Sequence, residues 1–86
     1  MPSRLVWTPA AWDDYLAWQQ DRRQQKRIHR LIRECLRTPF EGIGKPEPLR
    51  ENLAGFWSRR IDSEHRLVYT VDGDDLVIIA CRYHYD

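Results

Sequence analysis

The chain reads as a small α+β domain: one N-terminal strand, two antiparallel helices, then an antiparallel β-meander. Three observations carry that reading. Ile28, Leu31, Ile32, Cys35 and Leu36 recur at i, i+3, i+4, i+7 and i+8, a single apolar stripe of helical period. Beyond Phe56 the period falls to two, in runs over residues 56–61, 65–71 and 76–83. Asp62-Ser63-Glu64 and Asp72-Gly73-Asp74 separate those runs, and connections this short join antiparallel neighbours.

Arg4–Trp7 is the opening strand. Thr8 before Pro9 is a helix start, because the hydroxyl can cap and proline tolerates the first helical position. Trp12, Tyr15, Leu16 and Gln19 fall at helical spacing and carry the first helix to about Gln20, with Asp13 and Asp14 near the positive end of its dipole. Asp21 breaks the chain and caps the second helix. Arg23, Lys26, Arg27, Arg30, Arg33 and Arg37 lie off the apolar stripe of that helix. It stops near Thr38, because Pro39 disfavours a helical conformation in the residue before it. Residues 39–55, rich in proline and glycine, form a long loop of the kind that often carries function. On the strands the odd positions Trp57, Ile61, Leu67, Tyr69, Val71, Val77, Ile79 and Cys81 are expected to pack on the helices, and Tyr83 with them. If both hairpins keep an even-numbered register, Arg60, Arg66, Val68, Ala80, Arg82 and His84 share the other face.

At 86 residues the chain is a single domain, 1–86, near the lower limit for one hydrophobic core. Four tryptophans, four tyrosines and two phenylalanines compensate with large apolar area per residue. No apolar run approaches the roughly 20 residues needed to cross a bilayer, and the N-terminus lacks a secretory pattern. Cys35 and Cys81 sit at apolar positions with no CxxC spacing, which reads as buried reduced thiols in a cytoplasmic protein. The net charge of +1 hides a basic middle: residues 22–60 hold eleven bases against four acids. Such a block suits a polyanion such as nucleic acid, and arginine's dominance over lysine favours bidentate phosphate contacts. A solvated helix face is the plainer reading of the same block.

The C-terminal Cys81-Arg82-Tyr83-His84-Tyr85-Asp86 places a histidine, the side chain that titrates nearest neutrality, at a strand end beside the chain terminus. RNA cleavage by internal transphosphorylation needs a base for the ribose 2′-hydroxyl, a cation for the phosphorane and an acid for the departing 5′-oxygen. Glu47, Arg66 and His84 can fill those roles in that order without a metal or cofactor. Pro46 and Pro48 restrict the backbone around Glu47 and can aim its carboxylate. Tyr85 can stack on a base or donate to phosphate. Each residue has a plainer alternative as well: a solvated carboxylate for Glu47, an ion pair with Glu64 for Arg66, an exposed strand end for His84 and a frayed terminus for Tyr85. His29 and His65 are read as structural or surface residues. Gly42-Ile43-Gly44-Lys45 is too short for a phosphate-binding loop, and the chain offers no zinc-ligand set.

The segments Trp12-Asp13-Asp14-Tyr15-Leu16, Thr38-Pro39-Phe40-Glu41-Gly42, Gly44-Lys45-Pro46-Glu47-Pro48-Leu49, Gly55-Phe56-Trp57-Ser58-Arg59-Arg60-Ile61, His65-Arg66-Leu67-Val68-Tyr69 and Cys81-Arg82-Tyr83-His84-Tyr85 closely resemble the YoeB toxin family. The resemblance spans nearly the whole chain in the same order. It implies a RelE-like fold and a toxin of a type II toxin–antitoxin system that cleaves mRNA in the ribosomal A site. It also implies general base, phosphate-stabilising and general acid roles for Glu47, Arg66 and His84, with Tyr85 beside them. Lys45, Arg50, Arg59, Arg60 and Arg82 are the expected RNA contacts. The implied partners are a cognate antitoxin of the YefM/Phd type, the ribosome with its rRNA and mRNA, and a second copy in a homodimer, with no membrane. Asp86 departs from the family by adding a carboxylate after the terminal tyrosine. Two other readings use the same basic face: a catalytically silent RNA- or ribosome-binding module, and a co-repressor partner of a DNA-binding antitoxin.

Overall fold

The computed structural model describes residues 1–83. Strand β1 (Arg4–Trp7) leads into helices α1 (Pro9–Ala17) and α2 (Arg22–Arg37), and strands β2 (Glu47–Pro48), β3 (Trp57–Arg60), β4 (Arg66–Asp72) and β5 (Asp75–Ala80) follow. The five strands form one sheet in the order β1-β5-β4-β3-β2, with β1 parallel to β5 and the other pairs antiparallel. Ile28, Leu31, Ile32 and Cys35 of α2 are buried with Leu67, Tyr69, Leu76, Ile78 and Cys81 in a single core. The expected α+β architecture is the observed one.

Both helix starts follow their capping residues. Thr8 Oγ1 accepts the Ala11 N–H at 3.1 Å, and Asp21 Oδ1 accepts the Gln24 N–H at 3.1 Å. Helix α2 ends at Arg37, one residue before the residue preceding Pro39. Helix α1 ends at Ala17, short of the expected Gln20, and turns a different stripe inward. Ala11, Tyr15 and Trp18 face the core, whereas Trp12 and Leu16 are 45% and 38% exposed. Polar contacts decide that rotation: the Trp18 indole donates to the Cys81 carbonyl at 2.7 Å, and Asp14 Oδ2 accepts the Cys81 N–H at 3.1 Å.

The sheet corrects one face assignment and explains it. Leu76, Ile78 and Ala80 are the buried residues of β5, and Val77 and Ile79 are not. The Asp72–Asp75 pair closes over the two residues Gly73-Asp74, so odd positions on β4 meet even positions on β5. Gly73 supplies the positive φ, +60°, that so tight a turn needs. A bulge at Ile79 then inserts one extra residue: Tyr69 pairs with Ile78, but Val68 pairs with Ala80. Parity is restored in time to put Cys81 in the core. Tyr83 was expected in the core and is instead 57% exposed, with φ +61°, because the strand stops at Ala80 and the alternation stops with it.

The long loop also differs from expectation. Glu47–Pro48 pairs with β3 as a fifth strand, and Glu51–Leu53 forms a single 3₁₀ turn. Gly44 passes against α2 with φ +82°, where an added Cβ would lie 2.8 Å from Leu31 Cδ2. Only glycine fits that approach.

Candidate functional site

The register of the sheet sets out the site. Glu47 lies opposite Ser58, Ser58 opposite Val68 and Val68 opposite Ala80, so these four share a row on the face turned away from the helices. Ser58, Val68 and Ala80 are buried and short, forming a floor, while Glu47 stands exposed at one end. One row along, Arg60 lies directly opposite Arg66 on the same face. Glu47 is two strand spacings, about 10 Å, from Arg66 across the sheet and two residues, about 7 Å, from it along the strands, so the two Cα atoms lie about 12 Å apart. Two like charges directly opposite are unfavourable in a strand pair, and an anion between them would relieve that.

Arg66 is held by the turn that precedes it. Its Nη1 donates to the Asp62 carbonyl at 3.1 Å and to the His65 carbonyl at 3.4 Å, and among the described residues no acceptor bonds its Nε or Nη2. The turn is itself tied by Asp62, whose Oδ1 accepts the N–H groups of Glu64 and His65 at 2.8 and 2.6 Å. Burial works to raise the pKa of Asp62, but those two N–H groups, the nearby His65 and a hydrogen bond from Gln24 outweigh it and hold the carboxyl below its ordinary range.

Arg59 is not a surface cation. It is fully buried on the helix side, where Nε donates to the Tyr69 hydroxyl at 3.1 Å and Nη1 to the Ile43 carbonyl at 3.2 Å. Nη2 donates to the carbonyls of Thr38 and Glu41 at 2.5 and 2.8 Å. A guanidinium spent on four protein acceptors beneath a loop cannot also bind RNA, so Arg59 leaves the expected set of RNA contacts. Its odd position between Trp57 and Ile61 was the available signal, since that face was the one expected to pack on the helices. Tyr69 completes the node by donating to the Pro39 carbonyl at 2.6 Å, and its burial pushes the phenol pKa up.

The other expected residues fall in three places. The Arg60 N–H donates to the Gly44 carbonyl at 2.6 Å, which sets the exposed Lys45 beside the end of β3. Arg50 is exposed at the start of the 3₁₀ turn. The Arg82 guanidinium lies 5.1 Å from the centre of the Tyr83 ring. His84 and Tyr85 lie outside the described residues. Among the described residues no three His, Cys, Asp or Glu side chains come together as a metal-holding group.

Residues 7–85 match the family model of the YoeB-like toxin of bacterial type II toxin–antitoxin systems. The chain belongs to that family. It is 63% identical over 83 residues to Toxin YoeB of Escherichia coli, covering 95% of this chain and 99% of that one. The YoeB/ParE toxin from Agrobacterium tumefaciens superposes with a TM-score of 0.93 at 55% identity, over 96% of this chain and 100% of the other. A Staphylococcus aureus YoeB, solved in a heterotetrameric YoeB-YefM toxin–antitoxin complex, gives a TM-score of 0.88 at 46% identity, over 99% and 100%.

Within this YoeB-like fold, residue-level reading missed the contacts at the end of β5. Trp18 and Asp14 grip Cys81, and His65 Nδ1 accepts the Tyr83 N–H at 2.7 Å. Ala11, Tyr15 and Trp18 recur at i, i+4 and i+7, so the Trp18 contact had a legible signal. His65 had none, because a turn residue acquires its partners only when the chain end arrives.

Proposed function

We propose that this toxin is a ribosome-dependent mRNA endoribonuclease that cuts message in the A site and thereby stops translation. The observation that carries the proposal is a shared sheet face turned away from the helices: Glu47 at the end of a floor of short side chains, with the Arg60–Arg66 pair one row away. Glu47 takes the proton of the ribose 2′-hydroxyl, and the 2′-oxygen attacks the adjacent phosphorus. Arg66 stabilises the charge on the phosphorane. His84 gives its proton to the 5′-oxygen as the P–O5′ bond breaks, with Tyr85 beside it against base or phosphate. The products are a 2′,3′-cyclic phosphate, or the 3′-phosphate after hydrolysis, and a 5′-hydroxyl. Lys45, Arg50, Arg60 and Arg82 hold the message, and the arginine-rich face of α2 meets ribosomal RNA.

Family membership supports the same reading, and the solved YoeB-YefM complex supports a YefM-like antitoxin as the neutralising partner. Leu5 and Trp12 line one exposed apolar patch between β1 and α1, which suits a second copy of the chain.

Primer extension on message in purified translating ribosomes tests the proposal. Wild type is expected to leave a 3′ end inside the A-site codon that needs the ribosome, and Glu47→Ala to lose about 10²–10⁴-fold in rate. Glu47 is exposed, so the variant should keep its thermal midpoint. Intact message with wild type, or cleavage by Glu47→Ala at the wild-type rate, overturns it. A translation block that survives Glu47→Ala without any cut would favour the silent ribosome-binding module.

A further inference from the structure

Where β5 ends, the chain is held by more hydrogen bonds than a frayed terminus requires. The Trp18 indole N–H and the Asp14 carboxylate bind the carbonyl and N–H of Cys81. Two residues on, the Arg66 N–H donates to the Tyr83 carbonyl at 2.7 Å, and the Tyr83 N–H donates to His65 Nδ1 at 2.7 Å. Tyr83 takes the left-handed conformation under these constraints, with φ +61°, a sparsely populated state for a bulky residue. The His65 ring stands edge-on to Trp18 with centroids 4.8 Å apart, and the backbone N–H of His65 is tied to the Asp62 carboxylate. An imidazole that accepts at Nδ1 carries its proton on Nε2, the nitrogen that lies 3.7 Å from Glu64 Oε2.

We propose that His65 is a positioning residue for the cleavage reaction: its Nδ1 holds the Tyr83 N–H and so fixes the point from which the terminal segment carrying His84 departs. The inference rests on the nuclease reading above. His65 does not touch the substrate. It acts through one backbone hydrogen bond, which competes with the αL strain at Tyr83 and keeps the departure point of the last residues beside Arg66. Loss of that bond releases a residue whose preferred conformation lies elsewhere, and a shift of about 1 Å at a reacting group can cost about 10²-fold in rate.

Two substitutions separate the acceptor from the ring. In His65→Asn the amide Oδ1 occupies the place of Nδ1 and still accepts, while the ring is gone. In His65→Phe the ring keeps its edge contact with Trp18, while the acceptor is gone. The first measurement needs no activity: through-hydrogen-bond scalar coupling between the Tyr83 amide nitrogen and His65 Nδ1 in the full-length protein is expected in wild type and absent in His65→Phe. The second is single-turnover cleavage on translating ribosomes. His65→Asn is expected to stay within about threefold of wild type, and His65→Phe to fall about 10²-fold in kcat with KM for the programmed ribosome unchanged. Absence of the coupling in wild type overturns the inference. So does wild-type cleavage by His65→Phe, or a loss in His65→Asn as deep as that in His65→Phe; in each case a wild type that cleaves leaves the nuclease reading standing. A wild type that leaves ribosome-bound message uncut overturns that reading, and the positioning role falls with it.

Discussion

Arg59 and Arg60 are neighbours in sequence and opposites in the fold. Strand alternation sends Arg59 to the helix side, where it is fully buried beneath the residue 38–43 segment. Arg60 points the other way, exposed and opposite Arg66. The buried guanidinium does the work that apolar side chains cannot do in so polar a loop: it satisfies three backbone carbonyls and the Tyr69 hydroxyl at once. The exposed one makes no side-chain hydrogen bond among the described residues, and sits in a cross-strand like-charge pair that an anion would relieve. One sheet thus uses identical chemistry for architecture on one side and, in the proposed function, for binding on the other.

The sharpest way to break that contrast is to remove the buried partner. Arg59→Ala leaves a cavity and several unsatisfied acceptors, and should cost about 3 kcal/mol of unfolding free energy, read from urea denaturation. Arg59→Lys should recover only part of it, since an ammonium lacks the planar fork. If Arg59→Ala unfolds at the wild-type midpoint but loses RNA affinity, the division of labour is wrong. Arg60→Gln is the mirror experiment. It should leave stability unchanged or raise it by about 0.5 kcal/mol, while weakening ribosome or RNA binding and flattening its salt dependence by about one phosphate contact.

A smaller effect belongs to Asp62, which holds the turn beneath Arg66. Its folded-state pKa is depressed, so its stabilising contribution is present above the unfolded carboxylate value of about 3.9 and disappears as pH falls through the lower folded value. Asp62→Asn should therefore be less stable than wild type near neutrality, with the gap closing in acid. Thermal midpoints of the two proteins at about pH 6 and about pH 2.5 measure it. A gap that stays constant across that range would mean the carboxylate's charge contributes nothing to the turn.

How much could be read early depended on how local the deciding interaction was. The α2 stripe, the Thr8 and Asp21 caps and the stop before Pro39 are matters of period and of single neighbouring residues, and they held. The thiols were likewise legible: Cys35 and Cys81 are buried and unpaired, and desolvation pushes their pKa values up to about 11 and about 12. Alternation also put the Arg60 and Arg66 side chains on one face of the sheet. It failed at Val77 and Ile79, because face assignment beyond a hairpin depends on the parity of the turn and on any bulge. A two-residue turn and one inserted residue reversed parity and then restored it.

The amino-acid order alone determined the α+β class, both helix starts, the turn positions and the chemical roles open to Glu47, Arg66 and His84, since each follows from propensity or functional group. Only the tertiary structure decided that Glu47–Pro48 joins the sheet, that Arg59 turns inward, that α1 presents Ala11 and Trp18 in place of Trp12, and that His65 meets the backbone of Tyr83. Those outcomes arise between groups far apart along the chain. A local pattern carries no record of which distant carbonyl, indole or amide will be within 3 Å once the layers close.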